Sequence, residues 1–397
     1  MNLQSLKSID AEPFDRQAAL QLLGRLQVPS LKDENFRFTS LPNLASYLTS
    51  EPGANVAASN LSTDVLDYPE AFTDKAQSRL SSWDPQLAQE WGDKFRNLAF
   101  WQNDYLAAWA DAHARQSSGI DSSDGESRRS LEFFEGTRGL FSRRQVRVRA
   151  GESMKWIEIM LGASQEAGGL IVGVTQILVE ESGSLDWIQI QDWPEQAEHY
   201  GRYLIILEKN ASLKYRAIHR GGRKGQNLIR TDSAEGARID LEAAIHLDGR
   251  RQFDYWVDNY HDAEKTQTNV RVNSIATDQA KIIFNANLKL SSKAKGTEAR
   301  QKSRSFLLSP RASIEVMPKL EIAIDDVKVS HGASVSNLDE NQIFYLRSRG
   351  LSEEQAKSLL IEAFMLPTLR ALGSNDEARY WAHRLNISSA EETDLWK

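Results

Sequence analysis

The side chains able to do chemistry are few and scattered in this sequence of 397 residues. There is no cysteine, which removes thiolate metal sites, cysteine nucleophiles and disulfides together. The seven histidines are His113, His199, His219, His246, His261, His331 and His383, and none pairs at metal-ligand spacing. A His-Glu-x-x-His helix and a Gly-x-Ser-x-Gly elbow are both missing. Gly221-Gly222-Arg223-Lys224-Gly225 has neither the spacing nor the following Ser or Thr of a phosphate loop and reads as a flexible turn. The neighbouring acids Asp325 and Asp326 would point to opposite faces of a strand, so a turn is expected there instead. In Arg143-Arg144-Gln145-Val146-Arg147-Val148-Arg149 the later arginines alternate with valines, as on the solvent face of a strand. With a net charge of −7, nucleic acid is disfavoured as a main partner.

The elements that must position these residues fall into three parts, expected at 1–135, 136–335 and 336–397. In the first, Glu12-Pro13 opens an amphipathic stretch that stops at Val28-Pro29, and Asp84-Pro85 is a helix start ahead of Leu87, Trp91, Phe95, Leu98, Trp101 and Leu106. Ser117-Ser118-Gly119 through Ser127 reads as a linker. In the second, apolar and polar residues alternate. Ile239, Leu241, Ala243, Ile245 and Leu247 lie two apart, as do Ile282, Phe284, Ala286, Leu288 and Leu290. Period two means strand, and no helical pattern interrupts it for roughly 190 residues. Asn-Gly is absent and Asp248-Gly249 is the one Asp-Gly among the strands, so hairpin signals are few. Strands spaced near 20 residues favour a solenoid over a sandwich, with that spacing as one coil. In the third, Leu338–Arg349 forms a helix ending at Gly350. Ser352-Glu353-Glu354-Gln355 is a capping box for a helix ended or kinked by Pro367, and a last helix is expected from about Asp376 to His383.

One segment carries a longer pattern: Asp325-Asp326-Val327-Lys328-Val329-Ser330-His331-Gly332-Ala333-Ser334-Val335, then Leu338-Asp339-Glu340 and Ile343-Phe344-Tyr345-Leu346-Arg347-Ser348-Arg349-Gly350-Leu351. Upstream lie Ala299-Arg300-Gln301, Leu307-Leu308-Ser309 and Pro318-Lys319-Leu320-Glu321-Ile322. Together, over about residues 255–370, these resemble the SufD family of iron–sulfur cluster assembly scaffolds. Pro29, Lys32, Glu34 and Phe36-Arg37-Phe38-Thr39 are similar to an N-terminal element of the same family, with Phe36 where a tryptophan is usual.

The resemblance implies a mainly β fold, a right-handed parallel β-helix flanked by helical N- and C-terminal domains. It also implies a cytoplasmic, non-enzymatic subunit that pairs with a SufB-type scaffold and docks a SufC-type ATPase through its C-terminal helices. No cofactor would be held tightly by the chain alone. A transient iron–sulfur cluster would form at the SufB–SufD interface, exposed when ATP closes the two SufC copies. His331 matches the family histidine there and is the candidate iron ligand, a neutral imidazole being suited to iron. Val327, Val329 and His331 are the expected pairing residues; Tyr345, Leu346, Arg347, Arg349, Gly350 and Leu351 are the expected ATPase surface. Phe344, Tyr345, Leu346 and Leu351 equally suit a small helical core. Gly332 fits SufD, because SufB-type chains carry glutamate there, whereas Val329 stands where many relatives have cysteine. An isolated homodimer is also open. The alternatives are a β-helix carbohydrate-active enzyme, for which no row of paired acids is found, and a partner-binding module without cluster chemistry.

Overall fold

The computed structural model describes residues 104–113, 116–124, 127–134, 139–162, 168–371, 374–384 and 387, with isolated positions at 25–27, 29, 32, 41 and 95. The helices expected before residue 104 and the element around Phe36 lie outside the described residues. The described chain starts with helix α1 (Tyr105–His113) and continues as sixteen strands, from β1 (Gln116–Asp121) and β2 (Ser127–Phe134) onward. Helices α2 (Glu340–Ser348), α3 (Glu353–Arg370) and α4 (Asn375–Arg384) follow. Odd-numbered strands form one eight-stranded sheet and even-numbered strands the other, and every pairing is parallel. The fold is therefore a parallel β-helix of two sheets, with a strand of each sheet in every coil.

The coils are longer than the sequence spacing suggested. Register partners in successive coils stand from 26 residues (Ser212 to Arg238) to 32 residues apart (Lys281 to Ser313). The expected value near 20 failed because each coil holds two strands, one of each sheet, and so spans two strand spacings. Left-handed turn residues stack along one edge as Gly151, Ser182, Asn210, Gly236, Lys265 and Gly296. Each N–H donates to a carbonyl of the next coil: Ser182 to Lys209 at 2.8 Å, Asn210 to Glu235 at 2.9 Å, Gly296 to Asp326 at 2.7 Å. Asp325 and Asp326 thus belong to a turn, as expected.

The stretch read as a linker is a correction: residues 116–121 are β1, in register with Ser142–Arg147 of β3 (Leu140–Val148). A parallel ladder bonds backbone to backbone, so small polar residues suffice at the first strand. The Gly221–Gly225 turn is not flexible either. A Cβ on Gly222 would lie 2.2 Å from the Ala197 carbonyl oxygen, so the backbones touch there.

The interior of the solenoid has an apolar column, from Trp156, Trp187 and Tyr215 through Leu241, Val270 and Ile282, with buried polar side chains such as Glu158, Gln189 and Gln191 beside it. The helices cover its outer faces. Leu106, Ala107, Trp109 and Ala110 of α1 pack on Phe141, Val172, Tyr200 and Leu204 of the odd sheet. Asp104 accepts from the Ala107 N–H at 3.0 Å, as a helix N-cap does, and pairs with the buried Arg202 at 3.2 Å. On the even sheet, Met365 and Leu369 of α3 and Trp381 of α4 pack with Ile157, Ile159, Ile188, Ile190 and Ile218. With that burial α3 runs through Pro367 to Arg370, so of the two expected outcomes the proline does not end the helix. A mid-helix proline costs about 3 kcal/mol, and packing of the flanking Met365, Thr368 and Leu369 offsets it. The capping box at Ser352 and Gln355 and the turn glycine Gly350 (φ +99°) are as expected.

Candidate functional site

The repeat stops at β15 (Ser313–Ile322) and β16 (Lys328–Ser336), each hydrogen-bonded to one neighbour only. Both therefore present a free edge of backbone donors and acceptors, which folded proteins normally cover or charge. Ile322 is 45% exposed and Val335 41%, so this edge is also apolar in part. Val327 and Val329 are half-buried, packed with Leu288, Leu290, Ala294 and Ala299 as a plug under the last coil.

Alternation places the side chain of His331 on the inner row of β16. It stands in register with Gln301 of β14 (Glu298–Leu307), which stands in register with Val270 of β12 (Gln267–Ala276). His331 is exposed because no coil follows it. Beneath it the inner row turns polar: Gln301, Ser303 and Ser305 succeed Val270, Val272 and Ser274. Gln301 is 4% exposed, yet neither its amide nitrogen nor its amide oxygen has a hydrogen-bond partner, and Ser303 Oγ also has none. Buried orphans of this kind cost about 1–3 kcal/mol each until something bonds them. The open end is thus an imidazole above unpaired polar atoms, at a sheet edge able to accept another strand. The sequence reading missed Gln301, Ile322 and Val335. The change of the inner row from apolar to polar was the available signal for Gln301.

Three other histidines, His199, His219 and His261, are occupied elsewhere. His219 Nδ1 lies 3.0 Å from Gln191 Oε1, and His199 lies 3.5 Å from the same side chain's amide nitrogen. Burial drives both rings down to about 3, so they are neutral packing residues. His261 bridges Thr266 and Thr268 at 2.8 and 3.1 Å, and burial lowers it to about 4. Within the same interior, Glu158 pairs with Arg144 and accepts from Trp187 Nε1 at 3.2 Å and Gln189 at 2.7 Å. Arg143 and Arg144 are buried, whereas Arg147 and Arg149 form ion pairs with Glu180 and Asp121 on the outside. Among the described residues no group of three or more His, Asp or Glu is placed to hold a metal ion.

The second candidate surface is α2 and the turn after it. Asp339 caps the helix, accepting from the Asn341 N–H at 2.9 Å. Ile343 is its one buried side chain; Phe344 is 74% exposed and Tyr345 57% exposed. The small-core expectation for these two aromatics is therefore incorrect, because the helix packs on α3 by its opposite side. Arg349 lies over the Tyr345 ring at 5.3 Å, and Arg347 reaches Glu353 at 3.5 Å. Leu346 and Leu351 are half-buried and Gly350 is exposed. The structure thus groups Val327, Val329 and His331 at the solenoid end, and Tyr345 through Leu351 on a separate helical knob. Phe344, the most exposed of its large apolar residues, was missing from the expected surface.

Comparison with known proteins bears on both surfaces. The family model for the SUF system FeS cluster assembly SufBD core domain matches residues 133–364, from β2 through most of α3. An iron–sulfur cluster assembly SufBD family protein of Synechocystis is 26% identical, the alignment covering 88% of this chain and 85% of that one. SufB of Bacillus subtilis is 26% identical over 59% of this chain and half of its own length. SufD of Escherichia coli is 37% identical over 99 residues, a quarter of this chain and 23% of that protein. With more than half its length matched, on a parallel β-helix with helices at its ends, this chain belongs to the SufBD family of iron–sulfur cluster assembly proteins.

Proposed function

We propose that the chain is the SufD-type member of a SufB–SufD pair. The open edge at β15 and β16 takes a SufB-type scaffold, and the exposed aromatic face of α2 docks a SufC-type ATPase. The iron–sulfur cluster is cargo assembled where the scaffolds meet, and the chain by itself catalyses nothing. The observation that carries this reading is His331 on an uncapped coil, directly above the unpartnered amide of Gln301. A partner strand on β16 would satisfy the backbone edge, cover Ile322 and Val335 and bring groups to those orphaned atoms. One imidazole cannot hold a cluster alone, and a chain without cysteine has no thiolate to offer. The sulfur-bearing ligands therefore come from the partner, which favours the SufD side of the pair over the SufB side. No helix among the described residues is long and apolar enough to cross a membrane, which is compatible with work in the cytoplasm.

The test is reconstitution with the cognate SufB-type and SufC-type proteins, comparing wild type with His331→Ala. The complex should assemble in both cases, with cluster yield falling sharply in the variant. Failed assembly would make the histidine structural. Unchanged yield would remove its role as a ligand, leaving a partner-binding scaffold whose cluster contacts lie elsewhere.

A further inference from the structure

The outer face of the last coil carries two exposed cations, Arg300 and Lys302, that form no ion pair among the described residues. Along β14 the odd residues Ala299, Gln301, Ser303 and Ser305 are buried, while Arg300, Lys302 and Arg304 point outward. On β16 the outer row is Ser330, Gly332 and Ser334, and a Cβ on Gly332 would meet nothing within 4 Å. A row of small side chains beside a row of cations makes a groove of about 440 Å³, lined in part by Arg271, Arg300, Lys302, Ser330, Gly332 and Ser334.

Three of the surrounding cations have partners. Arg271 bonds Glu242 at 2.9 Å, Lys328 bonds Glu298 at 2.8 Å, and Arg304 lies over the Phe364 ring at 5.4 Å. Arg300 and Lys302 form no ion pair among the described residues. Both border the hollow, and the hollow opens on the free edge of β16.

From this arrangement we infer that the groove selects the strand that pairs on β16, admitting one whose outward side chains are carboxylates and disfavouring a second copy of this chain. The inference rests on the proposed scaffold pairing and adds the determinant of partner choice. Strands in a sheet lie about 4.8 Å apart, so an added strand stands about 10 Å from β14. Across serine and glycine, an extended Asp or Glu from that strand and an Arg or Lys from β14 meet over the hollow. A second copy, related by a two-fold axis normal to the sheet, brings only its own Ser330, Gly332 and Ser334, with Arg300 and Lys302 behind them. That pairing places Arg300 and Lys302 of one copy opposite those of the other, and the nearest carboxylate, Glu298, is already bonded to Lys328.

The two pairings consequently respond to salt in opposite directions. The full chain would be titrated with the cognate SufB-type scaffold, and separately concentrated alone, between about 50 and about 300 mM NaCl, where screening of exposed charges grows. The mixed pair should weaken several-fold with salt, and self-association should hold or strengthen. Arg300→Glu with Lys302→Glu should weaken the mixed pair about tenfold. The neutral pair Arg300→Gln and Lys302→Gln should weaken it less and flatten its salt dependence. Both residues are exposed, so melting temperatures should match wild type and exclude misfolding. The inference is overturned if both variants pair with wild-type affinity and salt response, or if wild type self-associates as tightly as it pairs with the SufB-type chain. If that chain fails to bind wild type at any salt, the scaffold pairing itself falls, a result distinct from pairing that ignores charge.

Discussion

The middle of the solenoid and its last coil share one backbone plan and differ in what surrounds each strand. In the middle, every strand has two neighbours and the turn column is bonded from coil to coil. Trp156 and Trp187 stack there at 5.1 Å with rings 8° from parallel, and Tyr215 follows Trp187 at 4.3 Å. At the end, β16 is exposed along nearly its whole length, Gln301 is orphaned and Val335 faces solvent. The same repeat therefore stores stability where it is flanked and offers binding where it is not. A substitution should report on folding in the first region and on partnership in the second.

The largest separation is expected between Trp187→Ala and Val335→Asp. Trp187 is fully buried, so its truncation should cost about 3–5 kcal/mol in chemical denaturation. Val335→Asp should cost no more than about 0.5 kcal/mol, yet abolish co-elution with a SufB-type scaffold. Equal losses of stability would erase the distinction. Next come two glycines. Gly222→Ala drives a Cβ onto a carbonyl oxygen and should cost about 3 kcal/mol, whereas Gly332→Ala enters open space and should change stability by less than about 0.5 kcal/mol.

A third contrast is with pH. His199 and His219 titrate near 6.5 when unfolded and near 3 when folded, so the unfolded chain takes up protons first as acid is added. Their contribution is intact above pH 6.5 and is lost as pH falls toward 3, by about 2 kcal/mol per ring at pH 5. Asp232 opposes this in part. Burial and the nearby Asp262 raise it to about 6, so its penalty is relieved as pH drops through that value. Calorimetry should show the melting temperature falling below pH 6.5, and falling less in His199→Gln/His219→Gln. An equal fall in that double variant would place the acid sensitivity outside the solenoid core.

Much of this was legible because a strand repeats its environment every second residue. Ile239 through Leu247 and Ile282 through Leu290 announced both the strands and their inner rows, and Ser352 with Gln355 announced α3. The pattern failed where backbone contacts decide the outcome. Asn210 and Lys265 adopt left-handed turns without a neighbouring glycine to mark them. Residues 116–121 look like a linker because a strand paired by its backbone needs no side-chain signature. At the site, His331 was visible through its resemblance to a family segment, whereas Gln301 becomes meaningful only when the register sets it beneath that histidine. Phe344 reads as core from its type alone. Only the packing of α2 on α3 reveals that it faces outward.

The connections between successive strands, all three to seven residues long, limit where novelty can arise in such a chain. Many enzymes acquire new chemistry by lengthening a loop above a fixed scaffold. Here the described turns of one edge are bonded from coil to coil, so lengthening one would have to preserve those bonds. What can vary cheaply is the place where winding stops, since each added or deleted coil would move the uncapped edge and present a different inner row to the next molecule. A lineage built on this plan would diversify by changing its terminus and therefore its companions, with the barrel of coils behind it left almost untouched.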